Sequence, residues 1–279
     1  LSDPKTLDLN ELDNRLAEII MNEPIDYVDL YGGEITLLSD DYLQQLIDTI
    51  RKYYSGQINV VTNLVQHNAF LLRDDITLSV SYDFFCREAS TKTFNNIVTT
   101  PKDVHILMLA SRCLIEKDVA DMVNIFNAVS NIVSVEIKPY SSNQHNQQDV
   151  KYEEFEEFVK KWIELPKDFQ FINEDNIKDS LAGKRNAYSN DHIYITPSGK
   201  FAVLEFDENE NEYFLELEDY NKYIEWTAIE QMRVHENLIC NNCSYLGHCL
   251  SEHLRDVKSR KYSCNGFKHL LDWYKNEKL

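Results

Sequence analysis

VHILMLAS, residues 104–111, is a near-continuous apolar run rich in residues that favour strands. Such a run marks a strand buried on both faces, which is how strands of parallel sheets read. The same grammar extends outward. Upstream lie ITLSVSYD at 76–83, INVVTN at 58–63, and IDYVDLYGG, a short strand running into a glycine turn; downstream lies VSVEIKPYS at 133–141.

Between the strands the period changes to that of a helix. Residues 7–22 carry Leu9, Leu12, Leu16 and Ile19 at helical spacing, and Pro24 stops the helix. Ser39 is placed to cap DDYLQQLIDTIRKYY, with Leu43, Leu46, Ile47 and Ile50 on one face. NAFLLRD, STKTFNNIV, IEKDVADMVNIFNAVSN and EEFEEFVKKWIEL (153–165) supply further helices. Repeated strand–helix units predict an α/β fold with a parallel sheet. The short strand-to-helix connections fit a partial (β/α)6 barrel of the TIM type.

After residue 165 the pattern shifts. HIYITPSGKFAVLEFDENENEYFLEL (192–217) holds two strands about a Pro-Ser-Gly turn and a third after DENENE. A helix, a cysteine cluster and a final helix (GFKHLLDWYKNEK) follow. The expected organisation is a barrel over 1–165, a linker over 166–190, and a small cysteine-rich α+β cap over 191–279.

Composition narrows the function. Lys plus Arg number 28 against 47 Asp plus Glu, a net charge of −19. That charge repels phosphate backbones, so nucleic acid is not an expected partner. No apolar run approaches the roughly 20 residues that span a bilayer, so no membrane role is expected either. Four of the six cysteines fall at the C-terminal end of a chain that opens without a secretory signal, a pattern of metal binding in a reducing cytoplasm. Cys86 and Cys113 stand alone and read as buried small hydrophobes.

Cys240, Cys243 and Cys249 form a C-x2-C-x5-C run, with Cys264 fifteen residues further on. Four convergent thiolates hold either zinc or an iron–sulfur cluster, and the spacing alone does not choose between them. Polar groups also recur at the C-terminal ends of strands, where barrels bind ligands. They are Gly32, Gly33 and Glu34; Thr62 and Asn63; Ser79, Ser81 and Asp83, with Arg87 beyond; and Lys138 and Tyr140.

VDLYGGEITLLSDDYLQQLIDTI, then VTN, then VSYDFFCRE resembles the core of radical S-adenosylmethionine (SAM) enzymes, and IYITPSGKFAV with CNNCSYLGHC resembles their SPASM or twitch cap. The resemblance implies an enzyme that generates a 5′-deoxyadenosyl radical and modifies a peptide or small-molecule substrate. It implies that Gly32, Gly33 and Glu34 bind the SAM amino group, that Ser81 and Asp83 lie near the ribose, and that Arg87 meets the carboxylate, with Thr62 and Asn63 completing the SAM site. It implies a [4Fe-4S] auxiliary cluster on Cys240, Cys243, Cys249 and Cys264, and an electron donor such as flavodoxin or ferredoxin. The polar stretch SSNQHNQQD (141–149) reads either as a solvated loop or as part of the substrate rim, with the solvated loop the simpler reading.

The sequence departs from that family in three places. It contains no C-x3-C-x2-C loop, the element that holds the SAM-cleaving [4Fe-4S] cluster and that precedes the helix at 7–22 in the family. Because the sequence opens on Leu1, the expectation is that this first strand and loop lie upstream, and that the chain as written is inactive by itself. The other reading is a relative without catalysis. Ile35 replaces the usual proline after the GGE turn. Val203 and His253 stand where a first auxiliary cluster would have cysteines, so only the second is expected. A non-catalytic nucleotide- or peptide-binding protein with a structural zinc is the competing function.

Overall fold

A computed structural model describes residues 6–139, 150–207, 209, 211–251, 264 and 266–279. By its contacts the chain forms two compact units. One comprises Leu1–Lys138, Glu164–Ile172 and Pro197–Gly199; the other comprises Pro139–Ile163, Asn173–Thr196 and Lys200–Leu279.

The first unit opens with α1 (Leu9–Ile20), capped by the Asp8 carboxylate, which accepts the Asn10 N–H. Its strands are β1 (Val28–Leu30), β2 (Ile58–Thr62), β3 (Ile76–Ser81), β4 (Val104–Ala110), β5 (Ile132–Pro139) and β6 (Gln170–Phe171). They make one six-stranded sheet in sequential order, and β1–β2, β2–β3, β3–β4 and β5–β6 pair in parallel. Helices α2 (Asp40–Arg51), α3 (Ser90–Thr99), α4 (Arg112–Ile115) and α5 (Val119–Asn127) fill the connections up to β5.

Sequential order has a consequence. Parallel crossovers are right-handed, so strands added always to the same edge put all their helices on one face. Barrels are wound this way, whereas doubly wound sheets reverse direction. The burial of the strands agrees. Ile58, Val60, Ile76, Leu78, Val80, Val104, Ile106, Met108 and Ala110 are fully buried at alternate positions. Asn59, Val61, Thr77, Ser81, His105, Leu107 and Leu109, on the opposite face, are only half-buried. The helices contribute Leu43, Ile47, Ile50, Ile97, Met122, Val123 and Phe126 to the buried set. Each such side chain stabilises the fold by about 1.5–3 kcal/mol on full burial. The six-stranded α/β sheet is therefore as expected, while β1 and β6 lie at opposite edges without pairing to each other.

Local details differ from the sequence reading. NAFLLRD forms only a 3-10 turn, Ala69–Leu72, capped by Asn68. The helix expected from Ile115 begins at Val119, because the Asp118 carboxylate accepts the Ala120 and Asp121 N–H groups and fixes the start there. Residues 166–190 carry β6 and α7 (Ile172–Leu181).

The second unit holds α6 (Tyr152–Glu164), α7, and a three-stranded antiparallel sheet of β7 (Tyr194–Ile195), β8 (Phe201–Phe206) and β9 (Glu212–Leu217). Helices α8 (Tyr220–Glu236), α9 (Leu238–Asn241) and α10 (Lys268–Glu277) complete it. Glu205 of β8 accepts the Trp226 indole N–H of α8 at 3.1 Å. The buried Glu230 accepts both the N–H and the hydroxyl of Ser189, at 3.1 and 2.7 Å. No helix among the described residues is long and apolar enough to cross a membrane.

Candidate functional site

Strand register brings the first group of candidates together. Leu30 is level with Val60, Thr62 with Val80, and Ser81 with Leu107. Gly32 lies two residues past Leu30, in the turn that follows β1. Gly32, Gly33, Glu34, Thr62, Asn63, Ser81 and Asp83 thus lie at or just beyond the C-terminal ends of three adjacent parallel strands.

Glu34 joins two of these ends. Its Oε1 accepts the Thr62 hydroxyl at 2.6 Å, the Thr36 hydroxyl at 2.7 Å and the Thr36 N–H at 3.1 Å. Its Oε2 accepts the Asn63 N–H at 3.0 Å. Thr62 is buried and accepts the Leu64 N–H, while the Asn63 carbonyl accepts the Thr93 hydroxyl. Leu64 adopts a left-handed φ of +49°, held by the Asn96 amide on its carbonyl. The Glu34 carboxylate therefore organises the rim. The glycines are its exposed part: Gly32 and Gly33 have φ of +103° and +59°, and a Cβ on either would meet open space. Their backbone groups are available to a ligand, as the turn requires of glycine.

Asp83 does similar work between β3 and β4. It is buried, and its Oδ1 accepts the Leu109 N–H at 2.9 Å. Its other oxygen pairs with Arg87, whose side chain is 50% exposed and so retains donors for a second anion. Between the two, Phe84 and Phe85 both take left-handed φ, +42° and +63°. Residues with β-carbons rarely adopt that conformation.

Cys86 and Cys113 correct the sequence reading. They form a disulfide with Cα atoms 5.9 Å apart, and Cys113 is exposed rather than buried. No local signal announces a pair 27 residues apart, since the two meet only when β3 and β4 are laid side by side. Also missed were Asn59, His105 and Ser134, which form polar pairs along the strands, one of them with the candidate Ser79. Ser79 donates to Asn59 Oδ1 at 2.8 Å, and His105 Nδ1 lies 2.7 Å from the Ser134 hydroxyl. Burial lowers the His105 pKa, which favours the neutral imidazole. Of the remaining candidates, Lys138 lies 3.9 Å from Glu136. Tyr140, residues 141–149 and His253 fall outside the described residues.

The second group is the cysteines of the second unit. Cys240, Cys243, Cys249 and Cys264 are in no disulfide and line one pocket, with Ile239, Tyr245, Leu246, Gly266 and Lys268 among its other walls. Backbone N–H groups point at the sulfurs: Tyr245 N–H donates to Cys243 Sγ at 3.5 Å and Gly266 N–H to Cys264 Sγ at 3.3 Å. Burial pushes the Cys249 thiol up to about 12, the Ser251 N–H opposes it, and the other three cysteines add to it. Cys264 is raised chiefly by burial as well. Deprotonating four thiols clustered in this way requires a compensating cation beside them. The donor set fits a thiolate-bound metal group, although no three metal-binding side chains among the described residues converge as one metal ion requires. Gly266 is packed against Cys249: a Cβ there would come within 2.5 Å of the Cys249 sulfur.

No family profile matches the chain, and no curated protein matches it. Among solved structures, the fold is similar to that of native anSMEcpe with bound AdoMet. The TM-score is 0.64 and the identity 12%, over 97% of this chain and 88% of that one.

Proposed function

We propose that this chain binds SAM and an auxiliary iron–sulfur cluster and works as a radical SAM enzyme that modifies a peptide or small molecule. The observation that carries this reading is the Glu34 bridge, which builds one rim from the ends of β1 and β2. The register of β3 adds Ser81 and Asp83 to that rim. A fold shared with an AdoMet-bound protein supports it.

Under this reading the exposed backbone of Gly32 and Gly33 receives the SAM ammonium group, which seeks carbonyl oxygens. Arg87 offers its guanidinium to the SAM carboxylate. Asp83 fixes Arg87 from one side and the Leu109 amide from the other, so the loop is set before the ligand arrives. Ser81 stands beside this loop, where a ribose hydroxyl would be met. Cys240, Cys243, Cys249 and Cys264 hold a [4Fe-4S] cluster in a SPASM-like cap. A cluster held there would supply electron-transfer chemistry rather than bind SAM, and an external donor such as ferredoxin or flavodoxin would reload it. The N–H groups of Tyr245, Gly266 and Ser251 stabilise sulfur anions and tune such a centre.

Equilibrium dialysis of SAM against anaerobically purified protein tests the reading. Saturable binding at one site, weakened about tenfold or more by Arg87→Ala, is expected, since a charge-assisted bidentate contact is worth about 1.5–3 kcal/mol. Iron and sulfide in about equal amounts are expected from the same preparation. Absence of binding, or one colourless zinc and no sulfide, would overturn it.

A further inference from the structure

We infer that Cys86 and Cys113 are a redox-active pair, a dithiol–disulfide centre that exchanges with small-molecule disulfides and sets the order of the Asp83–Arg87 loop. Its first part is independent of SAM; its coupling to ligand binding rests on the reading above.

The pair joins two neighbouring strand ends. Cys86 lies three residues after Asp83, and its N–H donates to the Asp83 carbonyl at 3.0 Å. Cys113 lies in the short α4 just after β4, whose start is fixed by the Ser111 hydroxyl on the Leu114 N–H. The separation of 5.9 Å between Cα atoms is one that a disulfide spans without moving the backbone. A second noncovalent tie runs alongside, from Asp83 Oδ1 to the Leu109 N–H. The segment held between these ties is the one with two consecutive left-handed phenylalanines. Such a conformation persists only where its surroundings over-determine it. The disulfide is one of the determinants, so its reduction loosens this loop first.

Both cysteines suit exchange. The thiolate is the attacking species in such exchange. Cys113 is exposed and Cys86 half-buried, so Cys113 is the entry point and Cys86 the resolving thiol. The chemistry balances with a disulfide such as oxidised glutathione. Cys113 thiolate attacks one of its sulfurs and expels one glutathione thiolate, leaving a mixed disulfide on Cys113. Cys86 thiolate then attacks the Cys113 sulfur and expels the second. Two protons pass from the cysteine thiols to the two glutathiones, and two electrons pass from the pair to the oxidant. A dithiol reductant reverses both steps. The other four cysteines are in no disulfide and line one pocket of the second unit.

The test equilibrates the full chain, purified anaerobically, in glutathione buffers of graded ratio. Free thiols are then blocked with N-ethylmaleimide and the linked peptides read by mass spectrometry. Reversible formation of the Cys86–Cys113 link with a single midpoint is expected, and it is lost in Cys113→Ser. A pair that stays dithiol at every ratio would overturn the proposal. Hydrogen exchange on the two forms should show the amides of residues 82–88 slower when oxidised; equal rates would overturn the control of the loop. Titration of SAM into both forms should give affinities that differ by about fivefold or more in favour of the oxidised form. If the link forms and exchange responds while neither form binds SAM, the SAM reading fails and the redox pair stands.

Discussion

Glu34 Oε2 accepts the Asn63 backbone N–H at 3.0 Å, so one carboxylate ties the turn after β1 to the end of β2. Its other oxygen holds the hydroxyl of Thr62, which is buried. Removing the acceptor strands a buried donor, which costs about 1–3 kcal/mol. Glu34→Ala should therefore lower the free energy of unfolding in urea by that amount, with the midpoint falling and the slope of the transition unchanged. Glu34→Gln keeps an acceptor and should lose less. Equal stability of Glu34→Ala and the parent protein would show that the bridge contributes nothing.

Gly266 sits where a Cβ would lie 2.5 Å from Cys249 Sγ and 2.9 Å from Cys249 Cβ. Gly266→Ala must displace Cys249 or the chain at 266. The expected outcome is a loss of bound iron in the purified protein comparable to that of Cys249→Ser, with near-ultraviolet signals of the first unit retained. Full iron content in Gly266→Ala would contradict the tight packing of this glycine against its neighbour.

Arg73 and Arg51 donate to Asp75 and hold its carboxyl down to about 2, against an ordinary value of 3.8. A depressed folded-state pKa contributes stability above the unfolded value, and that contribution fades as pH falls through the folded one. The side chain is 33% exposed, so solvent screening reduces the contribution to about 1 kcal/mol. Asp75→Asn should be less stable than the parent by that amount at neutral pH. The gap should close between about pH 4 and pH 2. Urea unfolding across that range measures it; a gap independent of pH would exclude this origin.

Much of this was legible in the sequence because periodicity reports burial. The apolar runs at 58–63, 76–83 and 104–111 are strands, and the order of the glycine turn, Thr62-Asn63 and Ser81-x-Asp83 located three strand ends. What failed was anything set by pairing across strands. The Cys86–Cys113 link, the Asp83–Leu109 bond and the Asn59–Ser79 contact join residues remote in sequence. No local pattern carries a contact whose partner is chosen by register. The start of α5 differed for another reason: Asp118 outcompetes the apolar period as the signal for where that helix begins, whereas Ser39 caps α2 as its sequence predicts. The role of Glu34 also came out differently in emphasis. The residue type suggests a carboxylate presented to a ligand, but its hydrogen bonds to Thr36, Thr62 and Asn63 make it the brace of the rim.

The central claim is that SAM binds at the rim made by the ends of β1, β2 and β3. Hydrogen exchange of the anaerobically purified chain, with and without saturating SAM, measures this by position. The account predicts slowed exchange confined to residues 31–36, 62–65 and 81–88, and loss of that protection in Arg87→Ala. Protection elsewhere, or none at any SAM concentration, would contradict it.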